Sequence, residues 1–360
     1  MMNDQLSSPP QSRTDYGDGV LGAALSRGDL ADDAPVAPRR SRLYRLLANR
    51  DAAIAAAGVL LFILFPLTTK TFLTEFNLTN MVRNVSLIGT VAVGMTFLLI
   101  VGEIDLSVGS VLGFLVILFG VFDDRLGLGP WLAALLVIPI GVTTGVLNGL
   151  IRVLLNIPSF IVTLAMLTAY RSLALIISHE RPISVAGEGA FFWLTGGAIL
   201  GIPWLIIWML AAMIVGSIVL RSTRYGFHAY ATGGNPEAAR DSGINIGRVK
   251  MIAFAFTGGL CGLAATLLFG YLHVAEPTSG TGFEFRVIGA VIIGGTALTG
   301  GFGTILGTLI GTLIIAIITS GMVLLGYSQG ATDLSTGFLI VAVGIVDLLM
   351  QRAAMPSRFS

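Results

Sequence analysis

Two short stretches hold residues whose types and spacing could do work, and neither is arranged for covalent catalysis. The first is Gly233-Gly234-Asn235-Pro236-Glu237-Ala238-Ala239-Arg240-Asp241-Ser242-Gly243-Ile244, inside the longest polar interval between apolar runs, Arg221 to Lys250. Asn235 can cap a helix by accepting a free backbone N–H. Pro236 suits the first helical position, where its missing donor costs nothing. Glu237 puts negative charge in the first turn. Ala238 and Ala239 favour helix, and Gly243 can take the left-handed conformation that stops one. The prediction is a helix of two turns, about 10 Å long. Such a helix is unstable alone in water. Its two small alanines let another surface approach the backbone, so its chemistry is contact with a partner. The plainer reading is a connector with a helical turn.

The second stretch is a turn between two strongly apolar runs, carrying Glu103, Asp105 and Ser107. Ionised carboxylates are costly in hydrocarbon, so this turn is expected at the inner interface or in a protein-lined cavity. Asp105 or Ser107 can cap the following helix. The plain reading is a tight turn with a cap; the functional one is a gate, or a contact with a soluble partner, at the cytoplasmic mouth. Covalent and metal chemistry find no support. His179, His228 and His273 are far apart, and Cys261 lies in an apolar run as a buried small hydrophobe. Gly-x-x-x-x-Gly-Lys-Ser/Thr, His-Glu-x-x-His, Gly-x-Ser-x-Gly and paired intramembrane aspartates are all missing, so no cofactor and no metal are expected.

The elements that position these stretches are set by composition. The 360 residues are 54% hydrophobic and 11% charged, with 46 glycines and a mean hydropathy of +0.87. A soluble domain is about 25% charged, so this chain is read as an all-α polytopic membrane protein. A net charge of +1 without a basic block gives no reason to expect nucleic acid. Apolar runs at 51–67, 84–101, 106–122, 130–150, 157–177, 202–220, 251–271, 286–297, 302–322 and 334–350 suggest about ten spans, eight to ten. The eighth run is short, and reads as half a span, a re-entrant piece or one fused to its neighbour through glycines. Residues 1–45 are expected as a disordered cytoplasmic tail, 46–352 as the membrane domain with 221–250 as its cytoplasmic segment, and 353–360 as a cytoplasmic C-terminal tail. Arg39, Arg40, Arg42, Arg45, Arg50, Arg152, Arg221, Arg224, Arg240, Arg248, Lys250, Arg352 and Arg358 fall on one side of a ten-span arrangement. Acids concentrate on the other side, which puts both termini in the cytoplasm.

Further polar residues in apolar runs are candidates for a solute path. Asn84 and Asn148 can bond a neighbouring helix, worth about 0.6 kcal/mol on average in membranes, or a passing hydroxyl. Phe160 and Thr163, in the run opened by Asn156-Ile157-Pro158-Ser159, offer an aromatic face and a hydroxyl. Gly303, Gly307 and Gly311 fall four apart and suit close helix packing. Gly294-Gly295 and Gly300-Gly301 can interrupt a helix, which protein or a water-filled cavity must then satisfy.

The run Glu237-Ala238-Ala239, three residues and Gly243 resembles the coupling motif of ATP-binding-cassette importer permeases. Gly102-Glu103-Ile104-Asp105-Leu106-Ser107-Val108-Gly109, Ile157-Pro158-Ser159-Phe160-Ile161-Val162-Thr163-Leu164 and Val291-Ile292-Ile293-Gly294-Gly295-Thr296-Ala297-Leu298-Thr299-Gly300-Gly301 are similar to the ribose/xylose/arabinose/galactoside type, over roughly residues 50 to 350. Glu103 departs from it, standing where a glycine is more usual. The resemblance implies a permease subunit of the bacterial inner membrane that imports a monosaccharide or similar small polyol. It also implies a second permease copy or paralogue, a double-cassette ATPase that hydrolyses the ATP, and an extracytoplasmic sugar-binding protein. Gly233, Asn235, Glu237, Ala238, Ala239 and Gly243 would then couple to the ATPase. The competing readings are a secondary carrier or channel that works alone, and a membrane-embedded hydrolase. Carriers usually show buried ionisable pairs or inverted repeats, and few mid-span charges and no obvious half-to-half repeat are visible here.

Overall fold

The computed structural model describes residues 50–354. The expected tail at 1–45 and the end of the C-terminal tail, 355–360, lie outside the described residues.

The helices are α1 (Arg50–Thr68), α2 (Glu75–Ile100), α3 (Val108–Gly120), α4 (Pro130–Leu155), α5 (Ser159–Ser178), α6 (Ala190–Gly196), α7 (Trp204–Ser222), α8 (Arg224–Gly234), α9 (Pro236–Asp241), α10 (Ile246–Leu272), α11 (Phe283–Ile293), α12 (Ile305–Leu324) and α13 (Gln329–Ala354). Two-residue strands β1 (Ile183–Ser184), β2 (Ala198–Ile199), β3 (Ile202–Pro203) and β4 (Val274–Ala275) make two antiparallel pairs, β1 with β4 and β2 with β3. The all-α expectation holds.

Each of the ten apolar runs falls on a helix, but the helices are not equal. By length and apolarity, α2, α4, α5, α7, α10 and α12 can cross a membrane, while α1 and α13 carry shorter apolar stretches, Ile54–Thr68 and Gly330–Ala342. α3 has 13 residues and runs straight on into a π-helical turn, Val121–Arg125, while α11 has 11. At 1.5 Å per residue α11 is about 16 Å long, against a hydrocarbon thickness of about 30 Å, so it does not span alone. The count of ten crossings is loose: among the described residues six helices are long and apolar enough to cross, and α11 is a half-span.

α2 is the centre of the fold. Every residue from Val85 to Ile100 is buried, as expected for a helix apolar on all sides, with α7, α10, α11 and α12 around it. The Thr96 and Thr308 hydroxyls link α2 to α12 at 2.6 Å. α4 and α10 pack closely along their length, through interlocked glycines. A Cβ on Gly145 would overlap the carbonyl oxygen of Phe254, one on Gly258 that of Gly141, and one on Gly262 would lie 2.8 Å from the Cα of Ile138. The 303/307/311 stripe also lies at a close approach. A Cβ on Gly307 would overlap the Gly294 carbonyl oxygen, and one on Gly311 that of Ala290. Gly303 precedes α12 and packs on Thr296 and Ile100 instead.

Candidate functional site

Three helices stop with the same hydrogen-bond device. α2 ends with Gly102 N–H to Leu99 O (3.0 Å) and Glu103 N–H to Leu98 O (2.8 Å). α11 ends with Gly295 N–H to Ile292 O (2.9 Å) and Thr296 N–H to Val291 O (3.1 Å). α9 ends with Gly243 N–H to Arg240 O (2.9 Å) and Ile244 N–H to Ala239 O (3.0 Å). Gly102, Gly243 and Gly295 all have φ between 76° and 90°. The 5→2 and 6→1 bonds around a left-handed glycine are the Schellman stop.

The loops after α2 and α11 are joined directly, by the Gly301 N–H to Ile100 O bond at 2.8 Å. The end of α8 is wedged against that bond. A Cβ on Gly233 would overlap the Ile100 carbonyl oxygen and lie 2.5 Å from Gly301 N. The Tyr230 hydroxyl donates to Gly303 O at 2.7 Å, and that of Tyr225 to Val249 O at 3.1 Å. The α8–α9 segment is therefore fastened to both interrupted helices by backbone contact.

α9 carries the caps read from the sequence. Asn235 Oδ1 accepts from Ala238 N at 3.0 Å, and Pro236 stands at its first turn. The two alanines face different ways: Ala239 is buried, with Ile244, whereas Glu237, Ala238, Arg240 and Gly243 are exposed. One side of the short helix is anchored and the other is presented.

Glu103 sits at the same end of the fold. Arg152 Nε donates to both its oxygens, at 2.9 and 3.1 Å, and Lys250 Nζ to Oε1 at 2.5 Å. The Glu103 side chain is 2% exposed, those of Arg152 and Lys250 18% and 15%. Burial alone would raise the Glu103 carboxyl, but bonds from Lys250, Ser159 and Arg152 outweigh it and hold it below its ordinary 4.5.

Behind Glu103, a buried network joins residues read separately from the sequence. Asp105 Oδ1 accepts from Ser107 N (2.7 Å) and Ser107 Oγ (2.6 Å). Asn148 Nδ2 donates to Asp105 Oδ2 (3.2 Å) and Ser107 Oγ (2.8 Å). Thr163 Oγ1 accepts from Leu106 N at 3.1 Å, and Ser159 Oγ from Ile104 N at 3.2 Å. Burial pushes the Asp105 carboxyl up, partly offset by Ser107 and Asn148. Ser107 occupies the N-cap position of α3 without capping it, because its hydroxyl is turned to Asp105. Asn156 ends α4 in the left-handed conformation, and its Oδ1 accepts from Arg152 at 3.3 Å, instead of capping α5. The turn from Glu103 to Ser107 is thus pinned by α4 and α5.

Phe160 is not part of this network; it is exposed. Asn84 lies far from it, near the start of α2. With Asn77 and Asn80 it lines a cavity of about 420 Å³, closed also by Arg286, Thr319 and Ser320. The i, i+3, i+7 spacing of these three asparagines puts them on one helix face. That spacing is legible in the sequence. The partners of Glu103 had no comparable signal, since Arg152 and Lys250 are 49 and 147 residues away.

Residues 77–344 match the family described as the permease component of branched-chain amino acid transport systems. The chain belongs to this permease family. Its relatives bear out the resemblance to ABC-type sugar importer permeases. The ribose import permease protein RbsC of Bacillus subtilis (strain 168) is 38% identical over 80% of this chain and 89% of its own length. The L-arabinose ABC transporter permease protein AraH of Azospirillum brasilense is 34% identical over 90% and 95%. The probable ABC transporter permease protein YphD of Escherichia coli (strain K12) is 35% identical over 83% and 90%. No solved structure matches the chain. The protein is accordingly a multi-pass membrane permease.

Proposed function

We propose that this chain is the membrane subunit of an ATP-binding-cassette importer that moves a monosaccharide or similar small polyol inward. A separate double-cassette ATPase supplies the energy, an extracytoplasmic binding protein delivers the solute, and a second copy or paralogue completes the pore. The subunit sits in the bacterial inner membrane with both termini in the cytoplasm, so the Glu103 end faces inward.

The observation that carries this reading is the attachment of α8–α9. α9 offers Glu237, Ala238, Arg240 and Gly243 to a partner, while Gly233, one turn before it, touches both the end of α2 and the α11–α12 loop. A displacement imposed on α9 therefore reaches two interrupted helices together. Glu103, Asp105 and Ser107 form the inner gate, tied by Asn148, Arg152, Thr163 and Lys250. The Asn84 cavity receives the solute at the outer end. Ligand-driven alternation requires unequal affinity for two states, and nucleotide on the ATPase supplies it through α9. The ribose and L-arabinose relatives support a sugar as cargo.

The test is reconstitution with the neighbouring ATPase and binding protein. Sugar-dependent ATP hydrolysis and uptake are expected. Vesicles holding this chain alone that import sugar equally fast would show a self-sufficient carrier.

A further inference from the structure

α3 and α11 both begin inside the fold and run to opposite ends. The loop after α11 bonds Ile100 at the Glu103 end, so the 11 residues of α11 place Phe283 about 16 Å from that end. α3 runs the other way, and its last residue, Gly120, packs against Ile183 and Ala275. The segment after β4 returns along α3. A Cβ on Gly113 would overlap the Ser279 carbonyl oxygen, and one on Gly109 would overlap both the Gly280 carbonyl oxygen and the Glu284 carboxylate. Two helix N-termini thus meet near the middle depth of the membrane, where an ionisable residue is costly and marks a functional site by default.

Glu284 lies at that meeting point, 6% exposed. Its Oε2 is buried with no hydrogen-bond partner among the described residues, and the same is true of Arg286 Nε. Arg171 of α5 also faces Glu284, but spends its Nη1 on the carbonyls of Pro277 (3.2 Å) and Ser279 (2.7 Å). Glu284 and Arg286 line a groove of about 650 Å³ against α13, with Thr281 and Thr336 among mostly apolar walls that include Phe285, Leu334 and Phe338. Arg286 also borders the Asn84 cavity, so one side chain adjoins both. A helix-end role accounts for a negative charge at the start of α11. It does not account for a buried acceptor and a buried donor both left unmade two residues apart on α11, each of which costs free energy. A hydroxyl both donates and accepts, so a polyhydroxylated solute satisfies the pair together.

We propose that this mid-depth groove holds a polyol in transit, with Glu284 accepting from a solute hydroxyl and Arg286 donating to one. The terminal torsion of a glutamate is soft, so either oxygen can be presented. The proposal rests on the transport reading above and names the place where the cargo pauses.

The chain has one cysteine, Cys261. In a Cys261→Ala background, Gly337→Cys sets a thiol on the groove wall, where an added Cβ meets nothing within 4 Å. The full chain with its ATPase, in proteoliposomes, is treated with a charged methanethiosulfonate in the presence of each of a panel of neutral pentoses and hexoses. Uptake of the same sugars is measured in parallel with the binding protein. The thiol is expected to react, and an imported sugar to slow the reaction. Glu284→Gln is expected to raise the sugar concentration needed for protection about tenfold to hundredfold, the factor for a hydrogen bond to a charged group. A thiol that does not react, an imported sugar that gives no protection, or protection unchanged by Glu284→Gln overturns the proposal. If Glu284→Gln fails to assemble, protection at Gly337→Cys in the otherwise unaltered site decides it alone. Failure of the wild-type complex to import any sugar counts against the transport reading instead.

Discussion

Gly233 and Gly234 are neighbours in sequence and opposites in surroundings, which makes them a matched pair of substitutions. An alanine at 233 drives its Cβ into the Ile100 carbonyl oxygen, 2.5 Å from Gly301 N and 2.9 Å from Ile100 C. These obstacles are backbone, so no side chain can swing aside. Forcing a methyl into a filled contact costs about 1–3 kcal/mol, and losing the Gly301–Ile100 bond adds about 1 kcal/mol. The better helix propensity of alanine returns about 1 kcal/mol, leaving a net loss of about 1–3 kcal/mol. An alanine at 234 comes no nearer than 3.9 Å to anything, at Gly301 Cα, and is expected to be harmless. If the contact also carries motion, a bias of about 1–3 kcal/mol between two states changes coupling about 5- to 150-fold. Thermal unfolding of the purified complex reads the first effect. Sugar imported per ATP hydrolysed reads the second. Gly233→Ala should fail in both while Gly234→Ala resembles the wild type. Equal melting and equal uptake for the two variants would refute the argument.

Glu103→Gln leaves Arg152 and Lys250 facing a neutral amide, and about 3 kcal/mol of destabilisation is expected in chemical unfolding, the lower end for a broken buried pair because both cations retain some access to water. The same carboxyl gives a pH signature. Its folded value lies below its ordinary 4.5, so its stabilisation is complete above that pH and is lost as pH falls through the folded value; Glu103→Gln should flatten this acid limb in a melting series. Gly243 has φ +82° and open space around it, so Gly243→Ala costs backbone strain only, about 1–2 kcal/mol, and Gly243→Asn should recover part of the lost melting temperature. Ala238→Trp should leave the melting temperature intact and abolish co-purification of the ATPase, because that side chain is exposed, whereas Ala239→Trp should lower the melting temperature first, because that one is buried. ATPase binding unchanged by Ala238→Trp would remove α9 from the interface.

Local signals were legible in the sequence, and long-range ones were not. The Asn235 cap, the proline at the first turn and the left-handed Gly243 all follow from neighbours a few residues apart, and the structure forms them. The ten apolar runs located ten helices for the same reason. The short eighth run already points to half a span, and α11, stopped by the turn at Gly295, is one. Glu103 and Asp105 were legible as a costly turn, but not as two environments. One is an ion pair reaching towards water, and the other a closed hydrogen-bond network with Ser107 and Asn148. The meeting of Gly233, Ile100 and Gly301 joins three distant parts of the chain through main-chain atoms, which leave no pattern in side-chain types. Ala238 and Ala239 look alike as letters; only the rotation of α9 distinguishes them.

The interlocked glycines of α4 and α10 have a mechanical corollary. Main chain lies against main chain there, with no intervening group to switch rotamer and absorb slack. The two helices act as a keel. On the importer reading proposed above, a swing between inward-open and outward-open shapes is expected to pivot about this pair. Spin labels at its two extremities should therefore report one fixed separation in every nucleotide state, while labels spanning α3 and α11 report two.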